Sequence, residues 1–78
     1  MDATKILSLF GEHIRGIRTA KGYSQEQLAG FADLDRTYIS GIERGQRNVS
    51  LMNLVKLARA LDIPAHQLLN FDMEGHNV

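Results

Sequence analysis

The chain is short, 78 residues, with nine basic and nine acidic side chains, no net charge at neutral pH and no cysteine. A chain of this size buries only about 60% of its unfolded surface, so one domain is expected over residues 1–78, and a partner subunit would add the missing burial. The absent cysteines exclude disulfides and thiolate metal sites, and no apolar stretch nears the roughly 20 residues that cross a bilayer.

The charge is unevenly placed. Residues 13–59 hold eight Lys and Arg against Glu26, Asp33, Asp35 and Glu43, a surplus of four positive charges. The ends carry Asp2, Glu12, Asp62, Asp72 and Glu74 against Lys5 alone. A basic middle with acidic ends presents a local positive patch on a neutral protein. Met1 to Phe10 carries Asp2 and Lys5 and lacks the pattern of a secretory signal, so a cytoplasmic location is expected.

The predicted elements are helices separated by short punctuation, and the expected fold is all-α with five of them. The first covers about Thr4 to Lys21, where Ile6, Phe10, Ile14 and Ile17 recur at helical spacing, and Gly22 follows as a left-handed cap. Ser24 starts the second, with Gln27 as the other half of a capping box and Tyr23 and Leu28 as a hydrophobic staple. Asp35 caps the third, flanked by Leu34 and Ile39, and that helix stops at Gly45. Ser50 caps the fourth, flanked by Val49 and Leu54; Leu51, Leu54, Val55, Ala58 and Leu61 give it a broad apolar stripe. Pro64 opens a short fifth helix in its first turn, and residues 72–78 have little to pack against and are expected to be a flexible tail.

Only Asp33 and Leu34 separate the second and third helices. That spacing is the geometry of a helix-turn-helix, here over about residues 24–45, whose second member lies in the DNA major groove. In the third helix Ile39 and Ile42 face inward, while Arg36, Thr37, Ser40, Gly41 and Arg44 fall on the opposite face. That face carries donors, acceptors and one glycine without bulk, as an approach to base edges requires.

The run SQEQLAGFADLDRTYISGIERGQRN, followed by LVKLARALDI, resembles the Cro/phage-repressor (XRE-type) helix-turn-helix family, with its lambda-repressor-like DNA-binding domain. Within that family, LDRTYISGIERGQRN and the short length look most like the controller proteins of restriction-modification systems. The resemblance implies that Arg36, Thr37 and Tyr38 contact bases, with arginine forking onto guanine O6 and N7. It implies backbone contacts from Gln25, Ser40, Arg47, Asn48, Ser50 and Asn53, and an Arg18–Glu43 pair tying the first helix to the recognition helix. Phage members often carry a long polar reader where this chain has Gly41, so readout leans on Arg36, Thr37 and DNA shape.

Two residues have a second reading. The Tyr38 ring would equally pack on the first helix, and Arg44 would complement the C-terminal end of its helix dipole. His13, His66 and His76 are scattered, with no ligand spacing, so no metal or other cofactor is expected, and Ser24, Ser40 and Ser50 have no His–Asp arrangement that would make an enzyme. The expected partner is a palindromic double-stranded operator bound by a homodimer, with half-sites about 34 Å apart. The expected dimer surface is residues 61–71, chiefly Leu61, Ile63, Pro64, Ala65, Leu68, Leu69 and Phe71. No ligand-binding domain is apparent, so no small-molecule ligand is expected, and control would run through protein concentration and multi-site occupancy. Asp33 in the turn is a candidate contact for RNA polymerase. The rivals are a phage or plasmid repressor of the same fold and an antitoxin-like interaction module that binds DNA secondarily.

Overall fold

Four side-chain caps set where the helices begin. In a computed structural model, which describes residues 2–74, the elements are α1 (Ala3–Ala20), α2 (Gln25–Ala32), α3 (Arg36–Glu43), α4 (Leu51–Leu61) and a 3-10 segment, Ala65–Leu69. Asp2 accepts from the Thr4 amide at 2.9 Å and so starts α1 one residue earlier than its apolar spacing suggested. At α2 the capping box is reciprocal: Ser24 accepts from the Gln27 amide at 3.0 Å, and Gln27 accepts from the Ser24 amide at 2.9 Å. Asp35 and Ser50 cap α3 and α4 through the amides of Thr37 and Asn53.

The expectation of five α-helices is corrected. The described residues hold four, and the segment after Pro64 is a five-residue 3-10 turn. Pro64 stands outside it in an extended conformation, no side chain caps it, and its bonds close over three residues (Gln67 N–H to Pro64 O, 3.0 Å). So short a run lacks the length to establish an i to i+4 ladder.

The core joins all of these elements: Phe10 and Ile14 from α1, Leu28, Ala29 and Ala32 from α2, Ile39 and Ile42 from α3, Leu57, Ala58 and Leu61 from α4, and Leu68 beyond them. On α4 the buried stripe differs from expectation. Leu51 is 74% exposed, because it occupies the first helical position, short of the core; Leu57, three residues before Ala60 and four before Leu61, is fully buried instead. The tail differs as well. Met73 is half-buried and lines an apolar cleft with Phe71, so the first residues beyond Phe71 do pack; residues 75–78, with His76, lie outside the described residues.

The crossing of α1 and α3 is unusually close. A Cβ on Gly11 would collide with the carbonyl oxygens of Ile42 and Glu43, the latter at 2.7 Å. Only glycine lets α1 pass over the C-terminal turn of α3 at this height. Among the described residues there is no strand, and no helix is long and apolar enough to cross a membrane.

Candidate nucleic-acid interface

The platform for this surface is an ion pair. Arg18 on α1 grips Glu43 at the end of α3 through two parallel bonds, Nε to Oε2 at 2.7 Å and Nη2 to Oε1 at 3.0 Å, with the two side chains 10% and 4% exposed. Its third arm donates to the Tyr23 carbonyl at 2.7 Å, and Gln25, first in α2, donates from Nε2 to Glu43 Oε1 at 3.1 Å. One carboxylate thus ties α1, the start of α2 and the end of α3. The hydrogen bonds to Glu43 hold the Arg18 guanidinium above its ordinary pKa, against the opposing effect of its burial. Gln25, expected at the DNA backbone, has one of its amide protons committed here.

Held by that brace, α3 turns its first residues outward. Arg36 and Thr37 are exposed, Ser40 is half-buried and Arg44 is exposed at the C-cap. Eight residues span about 12 Å, the width of the major groove. Asp35 Oδ1 accepts both from the Thr37 amide at 2.8 Å and from the Thr37 hydroxyl at 2.6 Å. Those bonds, the hydroxyl's first, hold the Asp35 carboxyl below its usual range.

Gly41 is not the open gap on this face that its place in the helix suggested. It is buried, and the position that a Cβ would take lies 2.7 Å from Cγ of Arg47. The Arg47 stem, arriving from the loop after α3, lies across the glycine and puts its guanidinium 5.7 Å from the centre of the Tyr38 ring. A long side chain at residue 41 and this placement of Arg47 exclude one another.

Tyr38 has partners that neither reading named. Its half-buried ring packs against the core, and its hydroxyl donates to the Asn48 carbonyl at 3.0 Å while accepting from Asn53 Nδ2 at 3.1 Å. With its only proton used, the hydroxyl has no donor left for a base or a phosphate. Tyr38, Arg47, Asn48 and Asn53 therefore form one cluster joining α3, the loop and the start of α4. Ser50, the exposed cap of α4, accepts from the Asn53 amide at 3.1 Å, which leaves its hydroxyl proton uncommitted by that bond. The sequence signal for this cluster was weak, since it joins residues on separate elements.

Elsewhere, Asp33 is exposed in a left-handed conformation (φ 55°) at the turn between α2 and α3. Leu61 and Leu68 are fully buried inside the monomer, so neither can reach a partner, and this part of the expected dimer surface is corrected. Ile63, Ala65 and Phe71 are half-buried, whereas Pro64 and Leu69 are exposed. The large exposed apolar side chains are Phe31, Leu51, Met52 and Leu69; Leu69 also lines the apolar cleft, about 160 Å³, with Ile6, Phe10, Val49, Leu54 and Met73. His13 is engaged with the Gln67 carbonyl at 2.8 Å. Among the described residues no three His, Asp or Glu side chains stand together as a metal site would require.

The family described as Helix-turn-helix matches residues 14–68. The control protein C.BamHI of Bacillus amyloliquefaciens is 52% identical over 69 residues, 87% of this chain and 85% of its own length. The chain belongs to the helix-turn-helix family of restriction-modification controller proteins. The crystal structure of one such controller, C.AhdI from Aeromonas hydrophila, superposes with a TM-score of 0.78 at 60% identity, covering 80% of this chain and 94% of that one. A second controller, C.Esp1396I, has been solved as a tetramer in complex with its natural 35 base-pair operator; it superposes at 0.75 with 41% identity, covering 82% and 84%. The brace itself is buried, while Arg36, Thr37, Arg44, Arg47 and Asn48, on α3 and just after it, are exposed.

Proposed function

We propose that this controller-family chain is a sequence-specific transcriptional regulator that binds a palindromic operator as a homodimer, with α3 in the major groove. The observation that carries the reading is the pairing of an outward first turn, Arg36 and Thr37, with a brace that fixes α3 against α1 and α2. It is joined by the likeness to a controller solved on its operator. Arg36 and Thr37 read base edges. Arg47, Ser50 and the free amides at the start of α2, beside Gln25, hold phosphates, which set register rather than sequence. Ser40 and Asn48 flank the same strand, and Tyr38 and Asn53 serve by shaping the loop. Asp33, exposed in the turn between α2 and α3, is the proposed touch-point for RNA polymerase. The protein acts as one domain in the cytoplasm, and its dimer forms through the exposed apolar side chains rather than through Leu61 and Leu68.

The test is fluorescence anisotropy on an operator selected by the wild-type protein from a random pool. Arg36→Ala weakens binding and relaxes preference at one base pair per half-site, a loss of about 1–3 kcal/mol of discrimination. Arg47→Ala weakens binding to all sequences and lowers the salt slope by about one unit. Unchanged preference in the first variant would remove Arg36 from the reading role.

A further inference from the structure

The hydrogen bond between Thr37 and Asp35 has a chemical consequence for what α3 can read. A threonine hydroxyl has one proton and two lone pairs, and in the major groove it ordinarily serves as donor or acceptor. Here the proton is directed at a carboxylate, at a distance of 2.6 Å that belongs to the strong, charge-assisted class. The same Oδ1 also takes the Thr37 amide, so the side chain is held in place by its own backbone. Both residues are exposed, and the outward side of the Thr37 oxygen carries lone pairs only. Such an oxygen cannot bond a phosphate, which has no proton to give. Nor can it bond guanine O6 and N7, adenine N7 or thymine O4, which are acceptors as well. The donors on major-groove edges are the exocyclic amino groups, N6 of adenine and N4 of cytosine. The neighbouring Arg36 has the opposite character, donors alone.

We propose that Asp35 makes Thr37 an acceptor-only reader, so that the first turn of α3 selects a base bearing an exocyclic amino group, adenine or cytosine, beside the site taken by Arg36. This rests on the reading that α3 enters the major groove. Asp35 is then a positioning residue for specificity as well as a helix cap. Because Arg36 cannot accept and Thr37 cannot donate, guanine suits the first and not the second, and cytosine the second and not the first, so the order of the pair along the helix bears on the direction in which the half-site is read.

The experiment uses the full-length protein and the pool-selected operator. At each half-site position, adenine is replaced by purine or cytosine by 2-pyrimidinone, which removes only the amino group; 7-deaza purines remove the N7 acceptor as a comparison. At one position the loss of the amino group weakens wild-type binding roughly five- to tenfold. Thr37→Val, which keeps the shape and loses the hydroxyl, binds the two duplexes equally at that position, as a protein–base cycle requires. Asp35→Ser, which still caps the helix but frees the Thr37 proton, tolerates a base with an acceptor there and loses most of the discrimination. Thermal unfolding confirms that each variant is folded. An amino-group penalty that is the same in wild type and Thr37→Val at every position overturns the proposal, as does a Thr37-dependent penalty that follows the 7-deaza substitutions. If Arg36→Ala and Thr37→Val both keep wild-type affinity and preference, the groove assignment of α3 fails instead.

Discussion

Two residues of the α3 region, the cap Asp35 and Gly41 within the helix, behave differently from their appearance in the chain. Asp35 reads as a helix cap, and it is one, but its carboxylate also takes the Thr37 hydroxyl and its pKa is lowered as a result. A carboxyl whose folded pKa is depressed stabilises the fold above its unfolded pKa, and that contribution is lost as pH falls through the folded value. The difference in melting temperature between wild type and Asp35→Ala should therefore be full at neutral pH and shrink on acidification through and below the ordinary carboxylate range; a difference that stays constant in acid would show the anion to be idle. Gly41 was legible as a departure from a long polar reader, yet not as the seat of Arg47, because a contact between a helix and the loop after it has no periodicity to reveal it. The residue-41 Cβ would meet the flexible Arg47 stem rather than backbone. Gly41→Ala should hence keep or raise stability, by up to about 1 kcal/mol of helix propensity, while displacing Arg47 and weakening DNA binding. Unfolding and anisotropy measured on the same variant separate the two effects.

At the scale of elements, the caps announce themselves. Ser24, Asp35 and Ser50 stand where their helices begin, since a cap and its bonded amide lie within three residues of each other. Asp2 was missed because the apolar spacing of α1 starts after it. The 3-10 segment was misread for a related reason: proline marks where a turn of helix starts but does not set which hydrogen-bond pattern follows. The brace between elements was legible only through family resemblance, and even then Gln25 looked free for DNA. Removing Glu43 would leave Arg18 buried with a single strong bond, to the Tyr23 carbonyl. Breaking a buried pair from one side costs about 3–5 kcal/mol, so Glu43→Ala should lower stability by about 3 kcal/mol in urea unfolding, the lower end because that bond survives. Arg18→Met combined with Glu43→Leu should recover much of the loss. Recovery in stability without recovery in operator binding would assign the pair to the aim of α3 as well as to its retention.

For the molecule as a whole, the row of capped helices gave the class and the short length gave the expectation of a partner, but not the face that would meet it. Apolar residues late in the chain look alike in sequence whether they close the monomer or serve a dimer; only the packed structure divides them, sending Leu61 and Leu68 inward and leaving Leu69 exposed with Leu51 and Met52. Met52→Glu and Leu69→Glu should each leave the helical content unchanged and shift the protein toward monomer in sedimentation equilibrium. The melting temperature of the wild type should rise with protein concentration, and that of the variants should not. Operator affinity should fall in step with dimerisation.

The division of labour around α3 has a consequence for how such proteins diverge. The core-facing residues Ile39 and Ile42 and the brace at Glu43 fix the rod, while the proposed base readers, Arg36 and Thr37, are exposed on it and Arg47, the proposed phosphate contact, is outside the helix altogether. A lineage could therefore exchange one operator for another through a few solvent-facing codons, with the scaffold unchanged, and two such regulators in one cell could be kept from each other's promoters by the same few changes.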